Sequence, residues 1–396
     1  MNMLSKINRC IFNMTELITL LFLSYFSNNL NSGFCIAYAL LLIILFYIKL
    51  KFTTCETEIS GELTAAVLLC EYSAIFLRYA ELSLKLYMIQ ALIIIILISA
   101  LFSIALIKET SFDVQSLTKT VLVLGSILLF ISIIANKNTW AIELTKLIFV
   151  CTIILFSKRT DSQIPILISA VLSCAVLAIF IREFGTAMVI ALSTLIMTAV
   201  NNRSPKLTAT ILILSTVTLS VWFFIYHYDS LYHALYNNAP SFSKPALERL
   251  FFDYDPESDQ IVLINNVIDC RGFKSEFFLL IKPTNFVNLI PNSISETTGV
   301  TDYMFSLMLF FNGKLLSAIV ILISSVSYIS AIAVKRCKSN LIVPIILLTQ
   351  SLVHICGNRL IFPFTGVPLI FVSYAPAAIL CSLTMIIISA VNDKEE

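Results

Sequence analysis

A single carboxylate, Asp302, stands in the stretch TGVTDYMFSL at the mouth of an apolar run that continues with few interruptions to Val334. Ionisable side chains within or beside such runs are costly to bury, so they are read first as facing a polar cavity. Three other places join it. In TWAIELTKLIF, Glu143 and Lys146 are three residues apart and therefore share one helix face. In IREFGTAMV, Arg182, Glu183 and Gly185 interrupt two apolar runs. In ERLFFDYDPESD, Arg249 precedes Asp253, Asp255, Glu257 and Asp259, oxygen ligands for a divalent cation that lack the glycine and spacing of a calcium loop. Each place also has a plainer explanation. Asp302 suits the N-cap of the helix that begins at Tyr303, where it complements the helix dipole. Glu143 and Lys146 suit an interfacial ion pair, Glu183 and its neighbours a tight hairpin, and the acidic group a solvated loop.

The elements that must hold these residues are membrane spans. Of 396 residues, 58% are hydrophobic and 13% charged, whereas a soluble domain carries about 25% charge. Apolar runs fall at about 11–27, 34–50, 63–80, 84–107, 119–135, 141–157, 163–181, 184–200, 207–226, 303–334, 341–361 and 369–391. In lipid every backbone polar group must be paired within its own segment, so each run is expected to be a helix. The expected fold is all-α and polytopic, with about 10–12 transmembrane helices and one large extracytoplasmic loop. The third run is the weakest, because Glu71 and Arg78 interrupt it, and an amphipathic surface helix is the alternative there. Lys6 and Arg9 ahead of the first run resemble the start of a signal peptide, but no small-residue cleavage site follows, and a retained first helix is expected.

Short basic clusters at 158–159, 201–206 and 335–338 fall on one side under alternate crossing, which assigns that side to the cytoplasm. The opposite side then receives Arg182, the turn NRLIFPFTGVP and the mildly acidic segment 227–302 that ends at Asp302. The chain accordingly divides into N-terminal helices (1–118), a second helical set (119–226), the outer loop (227–302) and C-terminal helices (303–396). A net charge of +2 argues against a nucleic-acid partner. The ten cysteines are scattered singly, without a CxxC or a Cys/His cluster, so neither a disulfide framework nor a thiolate metal site is expected.

Taken together, these places resemble the SEDS family of RodA- and FtsW-type proteins. QSLVHICGNRLIFPFTGVPLIFVSY, Gln350 to Tyr374, is similar to the family's C-terminal signature, in which a helix carrying Gln and a further polar residue leads into a Pro-Thr-Gly turn. FGTAMV, with Glu183 ahead of it, resembles the Asp-Leu-Gly-Thr-Ala element. IELTK resembles the Glu-x-x-Lys element, ERLFFDYDPESD the opening of the large outer loop, and VTDYMF the His-Thr-Asp-Phe-x-Phe element. The five lie in family order over roughly residues 119–391, and the N-terminal part is longer by about one helical hairpin. The chain departs from the pattern where Tyr-Gly-Gly-Ser-Ser becomes YAPAA after Tyr374, and where paired glutamates become Phe310 and Phe311.

The resemblance implies a multi-pass protein of the bacterial inner membrane, a peptidoglycan glycosyltransferase that polymerises lipid II by an inverting displacement. It implies Asp302 as the catalytic residue and Glu143, Lys146, Glu183, Arg249 and Gln350 as substrate-binding residues. A magnesium or manganese ion is the one cofactor it suggests, and a class B penicillin-binding protein the partner. Two other classes fit many spans with one outer loop. They are an O-antigen polymerase or ligase acting on a lipid-linked glycan, and a non-catalytic transporter or membrane scaffold.

Overall fold

The computed structural model describes residues 3–27, 31–53, 61–79, 114–157, 164–181, 183–201, 229–240, 244, 247, 301–334, 338–361 and 366–392. The expected runs at 84–107 and 207–226, the loop from 248 to 300, and Arg182 and Arg249 lie outside those residues. The described residues are helical almost throughout, with no strand among them. The elements are α1 (Met3–Phe26), α2 (Ser32–Thr53), α3 (Gly61–Tyr79), α4 (Val114–Ile134), α5 (Asn138–Ser157) and α6 (Ile164–Ala175). A π-helical turn (Val176–Ile181) then precedes α7 (Phe184–Asn201) and the short α8 (Asp229–Asn238). The C-terminal part comprises α9 (Met304–Val334), a 3-10 turn (Lys338–Leu341), α10 (Ile342–Asn358) and α11 (Pro376–Asn392). Among the described residues four helices are long and apolar enough to cross a membrane, at Gln115–Ile134, Asn138–Phe156, Met304–Val334 and Ser339–Asn358. With the shorter apolar helices beside them they make an all-α polytopic membrane protein.

At the third apolar run the structure decides between the two readings the sequence allows. α3 is not a surface helix. Every residue from Gly61 to Phe76 is buried, and the helix packs against α1, α9, α10 and α11. Its polar side chains are tolerated at the centre because neighbours meet them. Thr19 donates its hydroxyl to the Glu71 carboxylate, Tyr38 donates to the Glu71 carbonyl at 3.0 Å, and Ser73 donates to the Val372 carbonyl at 2.7 Å. Asn312 donates from its amide to the Tyr72 hydroxyl. Glu71 inside an apolar run therefore marks a bundle interior rather than a solvated face.

Where lipid is the solvent, helices associate through close packing of small residues rather than through a hydrophobic driving force. α3 meets α9 in that way. A Cβ placed on Gly61 would run into the Ser327 carbonyl and lie 2.8 Å from Ser330 Oγ and 3.0 Å from Ala331 Cβ. Higher up the interface an aromatic cluster takes over. Phe22 meets Tyr72 edge-on at 5.4 Å, Tyr72 stacks on Phe76 at 5.8 Å, and Phe311 meets Phe76 edge-on at 5.9 Å. Phe310 and Phe311 thus belong to the apolar core. α9 is also interrupted at Gly313 (φ 75°, ψ 169°), a backbone conformation essentially confined to glycine. The kink separates the segment that follows Asp302 from the remainder of the helix.

The tightness at Gly61 yields a paired test. Gly61→Val forces an overpacked α3–α9 contact and lowers stability by about 1–3 kcal/mol, read as a fall in Tm of the detergent-solubilised protein. Gly125→Ala on α4 adds a Cβ at an ordinary 3.5 Å from Ile148. That variant keeps or raises Tm, by up to about 1 kcal/mol, since alanine is the better helix former.

Candidate functional site

The site is built on α10. Gln350, His354 and Asn358 recur every four residues and so form one stripe along the helix. All three are buried, and each makes hydrogen bonds to another part of the chain. At one end of the stripe lies the Glu143–Lys146 pair. The ammonium of Lys146 is 2.6 Å from the Glu143 carboxylate and donates to Gln350 Oε1 at 2.7 Å. Gln350 uses its amide to donate to the Pro368 carbonyl at 3.0 Å. The i, i+3 spacing on α5 does place both charges on one face, as expected. That face is turned into the bundle. Lys146 is 1% exposed, Glu143 4% and Gln350 1%, so these groups are enclosed by protein rather than lining an open water-filled cavity.

At the other end of the stripe is the start of α9. Helix starts leave N–H groups without intrahelical acceptors. Here α10 supplies the acceptors. Phe305 N–H donates to His354 Nε2 at 3.2 Å, and Ser306 donates to Asn358 Oδ1 from its N–H at 3.3 Å and from its hydroxyl at 3.1 Å. Asn358 returns a bond from its amide to the main-chain carbonyl of Asp302 at 3.0 Å. The capping of these two amides, a role the sequence offers to Asp302, is thus performed by His354 and Asn358. His354 and Asn358 carry no signal of their own as chemistry-bearing residues, but their four-residue spacing from Gln350 is visible in the sequence.

Between α10 and α11 the chain crosses the site as a non-helical strap, described from Gly366 to Ala375. Gly366 (φ 65°) lies against Asp302, and a Cβ placed there would be 3.5 Å from Asp302 Oδ2. Val367 accepts a 2.6 Å bond from His354 Nδ1, and Pro368 accepts the bond from Gln350. Ser373 donates to the Thr301 carbonyl at 2.9 Å while accepting from Leu369 N–H at 2.9 Å. Phe371 is buried at φ 65°, a conformation that costs a non-glycine residue about 1–3 kcal/mol and survives only where neighbours impose it. The bonds from Ser73 to Val372 and from Ser373 to Thr301 supply that constraint.

The strap relates the two ends of the site. Asp302 contacts it at Gly366, and the Gln350–Lys146–Glu143 chain contacts it at Pro368. Two residues span at most about 7 Å. Asp302 is half-buried, its carboxylate next to the least bulky residue available.

Glu183 stands at the head of α7, which packs on α10 and α6. Its carboxylate accepts from Gly185 N–H at 3.1 Å, and its own N–H donates to the Leu177 carbonyl at 2.9 Å. The π-helical turn before it is an irregularity of the kind often found at functional sites. Pro376, the centre of the YAPAA departure, is the first residue of α11, a position where the missing N–H and fixed φ suit the helix start. Among the described residues no three His, Cys, Asp or Glu side chains converge as metal ligands.

The fold and this polar interior define a polytopic all-α membrane protein with a charged pair, an amide and a carboxylate gathered beneath a strap. No protein-family model and no curated protein matches the chain. Its fold is similar to that of a chain in a solved structure of a peptidoglycan synthase complex, described as coordinating polymerization and crosslinking. The two are 14% identical, with a TM-score of 0.57 over 85% of this chain and 97% of that one. At that identity the likeness concerns the fold.

The enclosed ion pair yields the next test. Glu143→Ala leaves an ammonium buried with Gln350 alone beside it and costs about 3–5 kcal/mol of stability. The double variant Glu143→Leu/Lys146→Met removes both charges. It recovers at least half of that loss, measured by thermal unfolding in the same detergent.

Proposed function

We propose that the protein is a SEDS-like peptidoglycan glycosyltransferase of the bacterial cytoplasmic membrane, polymerising lipid II into glycan strands. The observation that carries the reading is that one short strap touches both Asp302, at Gly366, and the Gln350–Lys146–Glu143 chain, at Pro368. The likeness of fold to a chain of a peptidoglycan synthase complex supports it. The reaction forms a bond between an acceptor hydroxyl oxygen and an anomeric carbon while the bond from that carbon to the lipid-linked pyrophosphate breaks. Asp302 accepts the hydroxyl proton as general base, and its half-buried place at the head of α9 leaves it within reach of a sugar. Lys146 or Arg249 offsets the charge of the departing pyrophosphate, and Glu183 and Gln350 bind substrate. A class B penicillin-binding protein is the partner that such a polymerase requires.

One observation favours a non-catalytic scaffold instead: Glu143, Lys146 and Gln350 are enclosed, and Phe310 and Phe311 pack in the core. Purified full-length protein supplied with lipid II separates the two. Wild type forms glycan polymer and Asp302→Ala forms none, with equal expression and Tm. Polymer from Asp302→Ala at the wild-type rate would remove Asp302 from the chemistry. A wild type that makes no polymer but co-purifies with a transpeptidase would favour the scaffold. The same assay with EDTA, then with magnesium or manganese restored, measures dependence on a divalent cation.

A further inference from the structure

The stripe on α10 contains two residues to which the proposed chemistry gives no part, His354 and Asn358. Their bonds converge on the backbone around Asp302. The Val367 carbonyl can only accept, so His354 Nδ1 carries the proton in the 2.6 Å contact. Phe305 N–H then donates to the lone pair of Nε2 at 3.2 Å, and the Asn358 amide lies 3.4 Å from the same nitrogen. One neutral ring therefore joins the strap to the first turn of α9. Asn358 adds the bonds to Ser306 and to the Asp302 carbonyl. Asp302 itself, just ahead of α9, is held through its main-chain carbonyl by Asn358 and faces Gly366, the residue preceding Val367.

We propose that His354 and Asn358 are positioning residues that fix the Asp302 carboxylate against the strap, His354 by linking Val367 to Phe305 and Asn358 by holding both Ser306 and Asp302. This rests on Asp302 acting as the base. Neither side chain touches the reacting atoms. Their effect passes through the helix start, and a carboxylate displaced by about 1 Å loses on the order of 100-fold in rate.

The test compares wild type, His354→Leu, His354→Gln and Asn358→Ser in lipid nanodiscs. It reads kcat and KM for lipid II and amide hydrogen exchange over residues 301–307. His354→Leu is expected to lower kcat by about 10- to 100-fold, while KM, which reports substrate binding, stays within about threefold. Exchange at Phe305 and Ser306 should accelerate with it. His354→Gln presents an amide that donates to Val367 and accepts from Phe305, and it should restore most of the rate and the protection. Asn358→Ser, the milder change, should move kcat and exchange in the same direction, and it stands in if His354→Leu does not fold. A folded His354→Leu or Asn358→Ser with wild-type kcat would overturn the inference while leaving Asp302 as the base. Equal losses in the Leu and Gln variants with unchanged exchange would also overturn it, since packing alone would then explain both. If wild type makes no polymer, the proposed activity fails and the exchange data decide the cap alone. Acceleration in both variants then supports it, and unchanged exchange removes it.

Discussion

A polar group buried where no water reaches must find its partner in the protein, and in this molecule that requirement is met along one edge of α10. Gln350, His354 and Asn358 stand one turn apart, and between them they reach three segments: α5 through Lys146, the strap through Val367 and Pro368, and α9 through Phe305 and Ser306. In an interior of low dielectric such bonds are stronger than in water, and losing one leaves its partner exposed to the full desolvation penalty. The stripe therefore fixes positions that apolar packing alone would leave free to slide. Without it the α9 start would have two amides lacking acceptors, and Lys146 would keep a single partner.

The same requirement explains why α3 sits at the centre. A helix carrying Glu62, Glu71, Thr64, Ser73 and Tyr72 is a poor choice against lipid, where acidic side chains are expensive. Surrounded by α1, α9, α10 and α11 it finds hydroxyls, amides and carbonyls on several sides. Its bond from Ser73 to Val372 also reaches the strap, next to the strained Phe371. The strap is thus held from beneath by α3, from one side by α10 and at Thr301 by Ser373. The contacts from α3 and α10 are to backbone carbonyls of the strap, and the one side chain the strap contributes is the Ser373 hydroxyl, which ties Leu369 N–H to the Thr301 carbonyl.

Much of this was legible in the sequence, for physical reasons that can be stated residue by residue. The lipid-compatible runs announce helices because backbone satisfaction allows nothing else, and the shared face of Glu143 and Lys146 follows from helical pitch alone. What periodicity cannot provide is the environment of a face. Glu71 reads equally well as a solvated residue of a surface helix or as a paired acid of a buried one, and only the arrangement of α1 and α9 decides between them. The ion pair raised the same ambiguity, since spacing does not say whether the pair looks into water or into protein. His354 and Asn358 stand inside the C-terminal signature, yet the sequence assigns them no role because it does not show what they face, and their role exists only once α9 is laid across α10. The break at Gly313 was hidden for a similar reason: a single glycine inside a long apolar run is compatible with an unbroken helix.

On the proposed function, the enclosed state of Lys146 bears on how the site would meet a pyrophosphate. With the carboxylate of Glu143 at 2.6 Å and the Gln350 oxygen at 2.7 Å, two of the ammonium's three donors are engaged, and burial at 1% exposure leaves no room for a further group beside them. An incoming phosphate oxygen would have to displace one of them. Gln350 is the weaker tie, because its contact is neutral while that of Glu143 is between opposite charges. Gln350 is also bonded to Pro368, through its amide nitrogen rather than the oxygen that meets Lys146, so a rotation of that one side chain would release both contacts. His354 would still hold Val367, and through it the start of α9, while that event took place. The stripe on α10 therefore contains both a bond that can yield, at Gln350, and a pair of bonds that keep Asp302 in place when it does.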